Sequence, residues 1–288
     1  MIPGSFEYHR PDSVAAAVTL LGRLGEESRP LAGGQSLIAL MKTRLAAPEH
    51  LVDLSAIGGL KGIREEGSDI IIGAMTTQHE MIDSALLSRY LPIIKETALV
   101  IADPQIRYKG TLGGNVANGD PGNDMPALMQ CLNAVYQIVG AHGERAVPAR
   151  EFYHGAYFTA LEAGEIVTAI RIAKPESGHG YGYEKLKRKV GDYATAAAAV
   201  VITMAAGTCT SASIGLTNVS ETPLFAEAAG AALVGTKLDD ASIAKAVAAA
   251  EAITNPASDM RGPAEYRTKM AGIMLRRALA RAKTRALG

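Results

Sequence analysis

The sequence predicts an α+β chain in two parts, and three observations carry that prediction. The first half alternates short apolar runs of strand character with helical ones, and two of the junctions are glycine pairs, Ala32-Gly33-Gly34-Gln35-Ser36 and Thr111-Leu112-Gly113-Gly114-Asn115. At Lys174-Pro175-Glu176-Ser177-Gly178-His179-Gly180 the texture changes across a dense run of turn formers. Beyond it, three β-like runs precede three alanine-rich helical ones, which predicts a three-stranded antiparallel sheet beside a helix bundle. The 288 residues suffice for two domains at a prior of roughly 150 residues each. The expected division is 1–176, itself two α/β subdomains of about 1–56 and 57–176, and then 177–288.

Taken in order, Asp12-Ser13 caps a helix through Val14, Val18, Leu21 and Leu24, which Gly25 ends. Pro30 to Ala32 is a short strand entering the first glycine pair, Ser36 to Arg44 a helix, and His50 to Leu54 a strand. The glycines thus sit at a strand-to-helix junction, where a helix N-terminus adds its positive dipole end. Leu60 to Arg64 and Asp69 to Ile72 form a hairpin around Glu66-Gly67-Ser68, and Thr76 or Thr77 caps the next helix. Ser84 to Ala102 is helical, with Pro92 a break or a first turn. After the second glycine pair comes a turn-rich loop, Asn118 to Asp124, then a helix Met125 to Cys131. Ala134 to Val139, Arg145 to Val147 and Glu165 to Ile172 are strands. In the second part the strands are Tyr181 to Lys187, Ala196 to Met204 and Cys209 to Leu216. The helices are Pro223 to Leu233, Asp240 to Ala252 and Pro263 to Lys283, the last with Tyr266, Met270, Ile273 and Met274 on one stripe.

Composition excludes several classes. Lys+Arg and Asp+Glu both total 29, a formal net charge of +0, which argues against a nucleic-acid partner. Aromatic residues make up 5% with no Trp, a poor base-stacking platform. The two cysteines, Cys131 and Cys209, form no C-x-x-C pair, so no zinc or iron–sulfur site is expected from cysteine, and both read as buried free thiols. The six histidines show no ligand spacing and read as structural or surface groups; no metal site is expected. The N-terminus lacks a basic and then apolar leader, and Ala194 to Ala206 is too short and weakly apolar to span a bilayer. The expected location is cytoplasmic.

The glycine pairs carry the chemistry. Glycine allows φ > 0 and a close backbone approach, and successive free N–H groups form a concave anion site. Two such sites can grip both halves of a pyrophosphate. They are not a P-loop, because G-x-x-x-x-G-K-[ST] is absent, and neither reads G-x-G-x-x-G. Ser36 lacks the second glycine of a nucleophile elbow. The plainer alternative is that each turn only joins two elements. What tips the balance is Asn115, which can bond a phosphate or fix the loop, and Asp124, a carboxylate for ribose hydroxyls or an N-cap before Met125.

These residues resemble the flavoprotein (medium) subunits of the molybdenum hydroxylases, whose FAD domain is of the vanillyl-alcohol-oxidase type, and the resemblance covers the whole chain. The start Met1-Ile2-Pro3-Gly4-Ser5-Phe6 and the stretch Tyr183-Glu184-Lys185-Leu186-Lys187-Arg188 are similar to the carbon monoxide-oxidising branch. The resemblance implies that Ala32, Gly33, Gly34, Gln35, Ser36 and Leu37, with Thr111, Leu112, Gly113, Gly114 and Asn115, hold the FAD diphosphate. It implies that Asp124 binds ribose on the adenosine side, and that Val167 offers backbone contact. Ile101 is an apolar contact, Lys185 approaches the flavin ring, and Tyr193 lies beside it or is an ordinary strand-end tyrosine. Gln35 stands where the family often has His or Thr, and can still hydrogen-bond. A cation such as Lys185 near the flavin raises its potential. Lys187, Arg188 and Lys189 extend that charge or are a solvated strand end.

The implied assembly is a dimer of heterotrimers. A large subunit holds molybdopterin cytosine dinucleotide with molybdenum and copper, and a small subunit holds two 2Fe–2S clusters. This chain relays electrons through FAD to a quinone or cytochrome, with no catalytic acid or base of its own and an attachment to the inner face of the membrane. The alternatives are the same subunit serving a purine or N-heterocycle hydroxylase, and a non-catalytic dinucleotide-binding scaffold.

Overall fold

The computed structural model describes residues 2–176 and 178–287; Met1 of the N-terminal stretch, Ser177 of the expected domain boundary and the terminal Gly288 lie outside the described residues. The chain begins with β1 (Glu7–His9), α1 (Val14–Leu24), β2 (Ser28–Leu31), α2 (Leu37–Lys42) and β3 (His50–Asp53). The three strands form a parallel sheet in the order β1-β3-β2. The Ser13 hydroxyl caps α1 by accepting from the Ala16 N–H, and the helix buries Ala17, Val18 and Leu21 against this sheet. All three strands run toward the same edge, where β2 enters the first glycine pair.

The second subdomain comprises β4 (Ile63–Glu66), β5 (Asp69–Gly73), α3 (Gln78–Asp83), α4 (Ala85–Tyr90), α5 (Pro92–Leu99), α6 (Pro104–Arg107), α7 (Leu112–Ala117) and α8 (Asp124–Cys131). It continues through β6 (Val135–Gly140), β7 (Gly143–Pro148), β8 (Tyr153–Gly155), β9 (Phe158–Thr159) and β10 (Ile166–Ala173). A five-stranded antiparallel sheet has the order β4-β5-β10-β6-β7. Thr77 caps α3 in a full capping box with Glu80. The helix expected over Ser84 to Ala102 is two helices, because Pro92 lacks the N–H that would continue α4 and so starts α5.

The third part holds β11 (His179–Leu186), β12 (Ala196–Ala205), β13 (Thr208–Thr217), β14 (Leu224–Phe225), α9 (Glu227–Ala231), α10 (Asp240–Ala252) and α11 (Ala264–Leu287). Its antiparallel sheet has four strands rather than three, in the order β11-β12-β13-β14. The added strand takes residues expected to open a helix at Pro223. Leu224 and Phe225 pair instead with Leu216 and Gly215, and only Glu227–Ala231 remains helical. The continuous apolar run of β12 is explained by burial on both faces. Ala197 and Ala199 face the core shared with α5 and α8, while Ala196, Ala198, Val200 and Ile202 face the helices.

The stripe of α11 differs from the expected one. Tyr266 and Ile273 are exposed, and Arg267, Ala271, Met274, Leu275, Ala278 and Ala282 are buried. The sheet selects the small face: a Cβ at Gly182 would stand 2.4 Å from the Ala278 carbonyl oxygen, so the helix backbone lies directly on β11. On the opposite face, a Cβ at Gly215 would stand 2.2 Å from the Ala127 carbonyl oxygen of α8. That contact seats α8, and hence Asp124 at its start, against the C-terminal sheet. Both cysteines are buried free thiols, as expected.

Candidate functional site

A cleft of about 590 Å³ runs between the three parts of the chain. Its lining includes Ala32, Gly33, Gly34, Gln35, Ser36, Leu37, Ile101, Thr111, Gly113, Gly114, Asn115, Asp124, Val167, Lys185 and Tyr193. One residue expected there is elsewhere: Leu112 is fully buried in the core, and its N–H donates to the Thr76 carbonyl. As the first residue of a helix whose other face is solvent-side cleft, it is the apolar anchor of α7.

The two glycine motifs are built differently. In the first, the N–H groups of Gly33, Gly34, Gln35 and Ser36 have no acceptor among the described residues, and Gly34 has φ +73°. That turn is the expected nest of free amides. The second is not a turn of free amides but the start of α7, and its donors are spent. Gly113 N–H donates to the Ala74 carbonyl at 2.8 Å, Gly114 N–H to the Thr111 Oγ1 at 3.0 Å and Asn115 N–H to the Thr111 carbonyl at 3.1 Å. Its glycines serve close approach: a Cβ at Gly113 would lie 2.5 Å from that of Ala74, and one at Gly114 would lie 3.2 Å from that of Ala32. A Cβ at Gly33 would lie 2.0 Å from the Lys109 carbonyl oxygen. The glycines therefore bring the two motifs into contact across the cleft floor.

What the second motif offers is the Asn115 side chain, whose Oδ1 is buried with no partner. In the same lining the Oε1 and Nε2 of Gln78 are likewise buried and unpartnered, Gln78 being only 2% exposed. Orphaned buried amides are costly without a partner, so both mark where a polar ligand belongs. Sequence reasoning missed Gln78, which carries no motif.

Also in the lining, Asp124 and Lys185 form an ion pair of 2.7 Å with side chains 5% and 3% exposed. The Tyr183 hydroxyl donates to the second Asp124 oxygen at 2.5 Å. Burial and the adjacent Asp124 carboxylate push the Tyr183 phenol well above its usual range, so it remains a donor. This corrects two expectations. Asp124 is not a helix cap, since Asn123 takes that position and Asp124 is the first residue of α8. Nor do Asp124 and Lys185 mark opposite ends of an extended ligand, because they touch each other. Tyr183 was missed as part of this cluster, although its period-2 spacing from Lys185 puts both on one strand face.

The rim is polar. Arg145 grips Glu165 through Nε to Oε1 at 2.7 Å and Nη2 to Oε2 at 2.5 Å. That guanidinium holds the Glu165 carboxyl below its ordinary value, against the opposing effect of burial. Tyr193 is 42% exposed, yet desolvation of its hydroxyl and the nearby Asp120 carboxylate push it up to about 12. Of the basic run, Arg188 is committed to Asp192 at 3.0 Å, and Lys187 reaches the Val100 carbonyl at 3.4 Å.

A nest of four free amides, orphaned amide side chains and an apolar wall including Ile101 and Val167 fit a nucleotide diphosphate with an extended ring system. The volume falls within the ~300–1,000 Å³ usual for small-molecule sites. The fold and the cleft together define a dinucleotide-binding subunit.

Comparison with known proteins says which kind. Residues 4–175 match the family described as the FAD binding domain in molybdopterin dehydrogenase, and residues 181–282 match the CO dehydrogenase flavoprotein C-terminal domain. The chain belongs to this family of FAD-binding oxidoreductase subunits. It is 71% identical to the carbon monoxide dehydrogenase medium chain of Afipia carboxidovorans, over 99% of each. Among solved structures, a chain of a Cu,Mo-CO dehydrogenase in its cyanide-inactivated form superposes with TM-score 0.98 at 71% identity, covering 99% of this chain and 100% of that one. A chain of quinoline 2-oxidoreductase from Pseudomonas putida 86 superposes with TM-score 0.95 at 33% identity over 100% of both. No helix among the described residues is long and apolar enough to cross a membrane.

Proposed function

We propose that this chain is the FAD-carrying electron relay of a carbon monoxide-oxidising molybdenum hydroxylase. The observation that carries the FAD assignment to its residues is the cleft lined by both the free amides of Gly33 to Ser36 and the unpartnered Asn115 and Gln78 side chains. The likeness to carbon monoxide dehydrogenase medium chains supports the substrate. Residues 2–176 form the FAD-binding domain and the remainder from 178 the C-terminal domain. The chain works with a large molybdenum subunit and a small iron–sulfur subunit in a dimer of heterotrimers at the cytoplasmic membrane face, delivering electrons to a quinone or cytochrome.

The chain's own residues bind and orient. The amides of Gly33, Gly34, Gln35 and Ser36 take phosphate oxygens, with Gly34 supplying the left-handed turn that aligns them. Gly113 and Gly114 keep the opposing backbone close enough that Asn115 reaches the same ligand. Asn115 and Gln78 each offer a donor and an acceptor, so either end of the amide can meet a phosphate or a hydroxyl. Ile101 and the backbone of Val167 exclude water, and Tyr193 covers the mouth. When bound, FAD supplies the exchange of electrons between one-electron and two-electron partners. Lys185 does not act as an isolated cation there, because Asp124 neutralises it at 2.7 Å and Tyr183 fixes Asp124 in turn. The pair presents an oriented ammonium N–H rather than a net charge.

The test is the assembly purified with its co-purifying subunits. One FAD per chain, bleached by carbon monoxide under anaerobic conditions, is the expected result. Bleaching by an N-heterocycle and not by carbon monoxide would move the chain to the second reading, for which quinoline 2-oxidoreductase, at 33% identity, is the structural parallel. An intact assembly without flavin would overturn both.

A further inference from the structure

At the end of the parallel sheet opposite the cleft, the fold assembles a cluster that the FAD site does not use. In the register of β1 on β3, Glu7 stands beside His50, and His9 lies two residues on from Glu7, on the same face. The His9 Nε2 and His50 Nδ1 are 3.2 Å apart. The Glu7 Oε2 lies 3.4 Å from the His50 nitrogen and 3.8 Å from the His9 nitrogen. We propose that Glu7, His9 and His50 bind a zinc ion.

The triangle is the argument. Zinc bonds to imidazole nitrogen and carboxylate oxygen at about 2.0–2.2 Å, so the ligand atoms of a tetrahedral site stand roughly 3.3–3.5 Å from one another. The three separations centre on that edge. A proton shared between the rings accounts for one side of the triangle; a cation at its centre accounts for all three. Two imidazoles and a carboxylate are also a donor set that zinc takes, with the fourth position open. The imidazoles are held: their side chains are 22% and 17% exposed, and ladder pairing fixes the strands that carry them. Glu7, at 73% exposed, is the arm that closes from solvent, leaving the fourth position to water. Glu27 and Glu49 place carboxylate oxygens within 4.8 Å of a His50 ring nitrogen, adding negative charge beside the site. The site would clip a three-residue edge strand to its neighbour, which is where a small sheet most needs one.

The histidines carry no spacing motif because the ligands come from two strands more than forty residues apart in sequence. The experiment uses the chain purified with its co-purifying subunits, freed of loosely held metal and titrated with zinc sulfate alone. Bound zinc is counted by elemental analysis after gel filtration. The expected result is one zinc per chain that is absent from His9→Ala and His50→Ala. Glu7→Gln, which replaces a charged ligand oxygen by a neutral one on an exposed side chain, retains less zinc through gel filtration than the wild type. Amide exchange across Glu7–His9 slows with zinc in the wild type and not in the variants, while flavin content is unchanged in all of them. Equal zinc in the wild type and the His9→Ala and Glu7→Gln variants overturns the proposal, as does a wild type that takes up none.

Discussion

Replacing Gly33 by alanine adds one methyl group at the closest contact between the two glycine motifs. Its Cβ would stand 2.0 Å from the Lys109 carbonyl oxygen, 2.7 Å from that carbonyl carbon and 2.9 Å from the Gly110 Cα. All three are backbone atoms, so no side chain can swing aside. Reaching an ordinary contact of about 3.5 Å needs a separation of roughly 1.5 Å between the strand-to-helix junction and the loop before α7. A nest of four amides aimed at one phosphate does not tolerate that. Losing two charge-assisted bonds at about 1.5–3 kcal/mol each weakens binding by ~3–6 kcal/mol, or about 10²–10⁴-fold. The assay is FAD affinity on reconstitution of the deflavinated assembly, read by recovery of flavin absorbance. Far-ultraviolet circular dichroism checks that the C-terminal domain stays folded. Gly58→Ala is the control, since its Cβ would meet nothing within 4 Å. Gly113→Ala, 2.5 Å from the Ala74 Cβ, should rank next, and Gly114→Ala should be mildest, because Thr111 Oγ1 at 2.9 Å belongs to a side chain. A Gly33→Ala protein that binds FAD within threefold of the wild type would refute the reasoning.

Lys185→Met strands the Asp124 carboxylate in a site where both side chains are at most 5% exposed, so it should lower stability by about 3–5 kcal/mol in denaturant unfolding. Asp124→Asn on that background should recover a large part of the loss, and an additive double variant would show that the pair is not coupled. Asn115→Ala removes a side chain with an unpartnered buried oxygen, so the thermal midpoint should hold while FAD affinity falls about tenfold, as one lost hydrogen bond implies. Because Arg145 holds Glu165 below its ordinary value, the stability Glu165 contributes is fully present above the unfolded value of about 4.3 and is lost as pH falls through the depressed folded value. Arg145→Gln should flatten the acid limb of the stability profile; an unchanged limb would remove the pair from the account.

Much of the fold was legible because its signals are local. Ser13 and Gly25 bound α1, Thr77 caps α3, Pro92 splits a helical run and the continuous apolar run of β12 declares a strand buried on both faces. The segment after Pro223 was not legible, since two residues pair with β13 only because that strand is already there. The buried face of α11 was misread for the same reason: periodicity offers two stripes, and the flat surface at Gly182 accepts only the alanine one. In the site, the glycine pairs announced themselves, but their local conformations did not. Only Gly34 uses a positive φ, whereas Gly33 and Gly113 are required by backbone from other segments and Gly114 by the side chains of Thr111 and Ala32.

By itself, then, the sequence determined where the chain turns, which runs are buried and where the two glycine motifs sit, because caps, periodicity and glycine chemistry act over a few residues. The tertiary structure alone decided that the first motif keeps its amides free while α7 spends its own, that Asp124 is locked to Lys185, and that His9 and His50 meet across two strands. Each of those depends on which atoms of remote segments come within about 3 Å, where hydrogen bonding and charge pairing act.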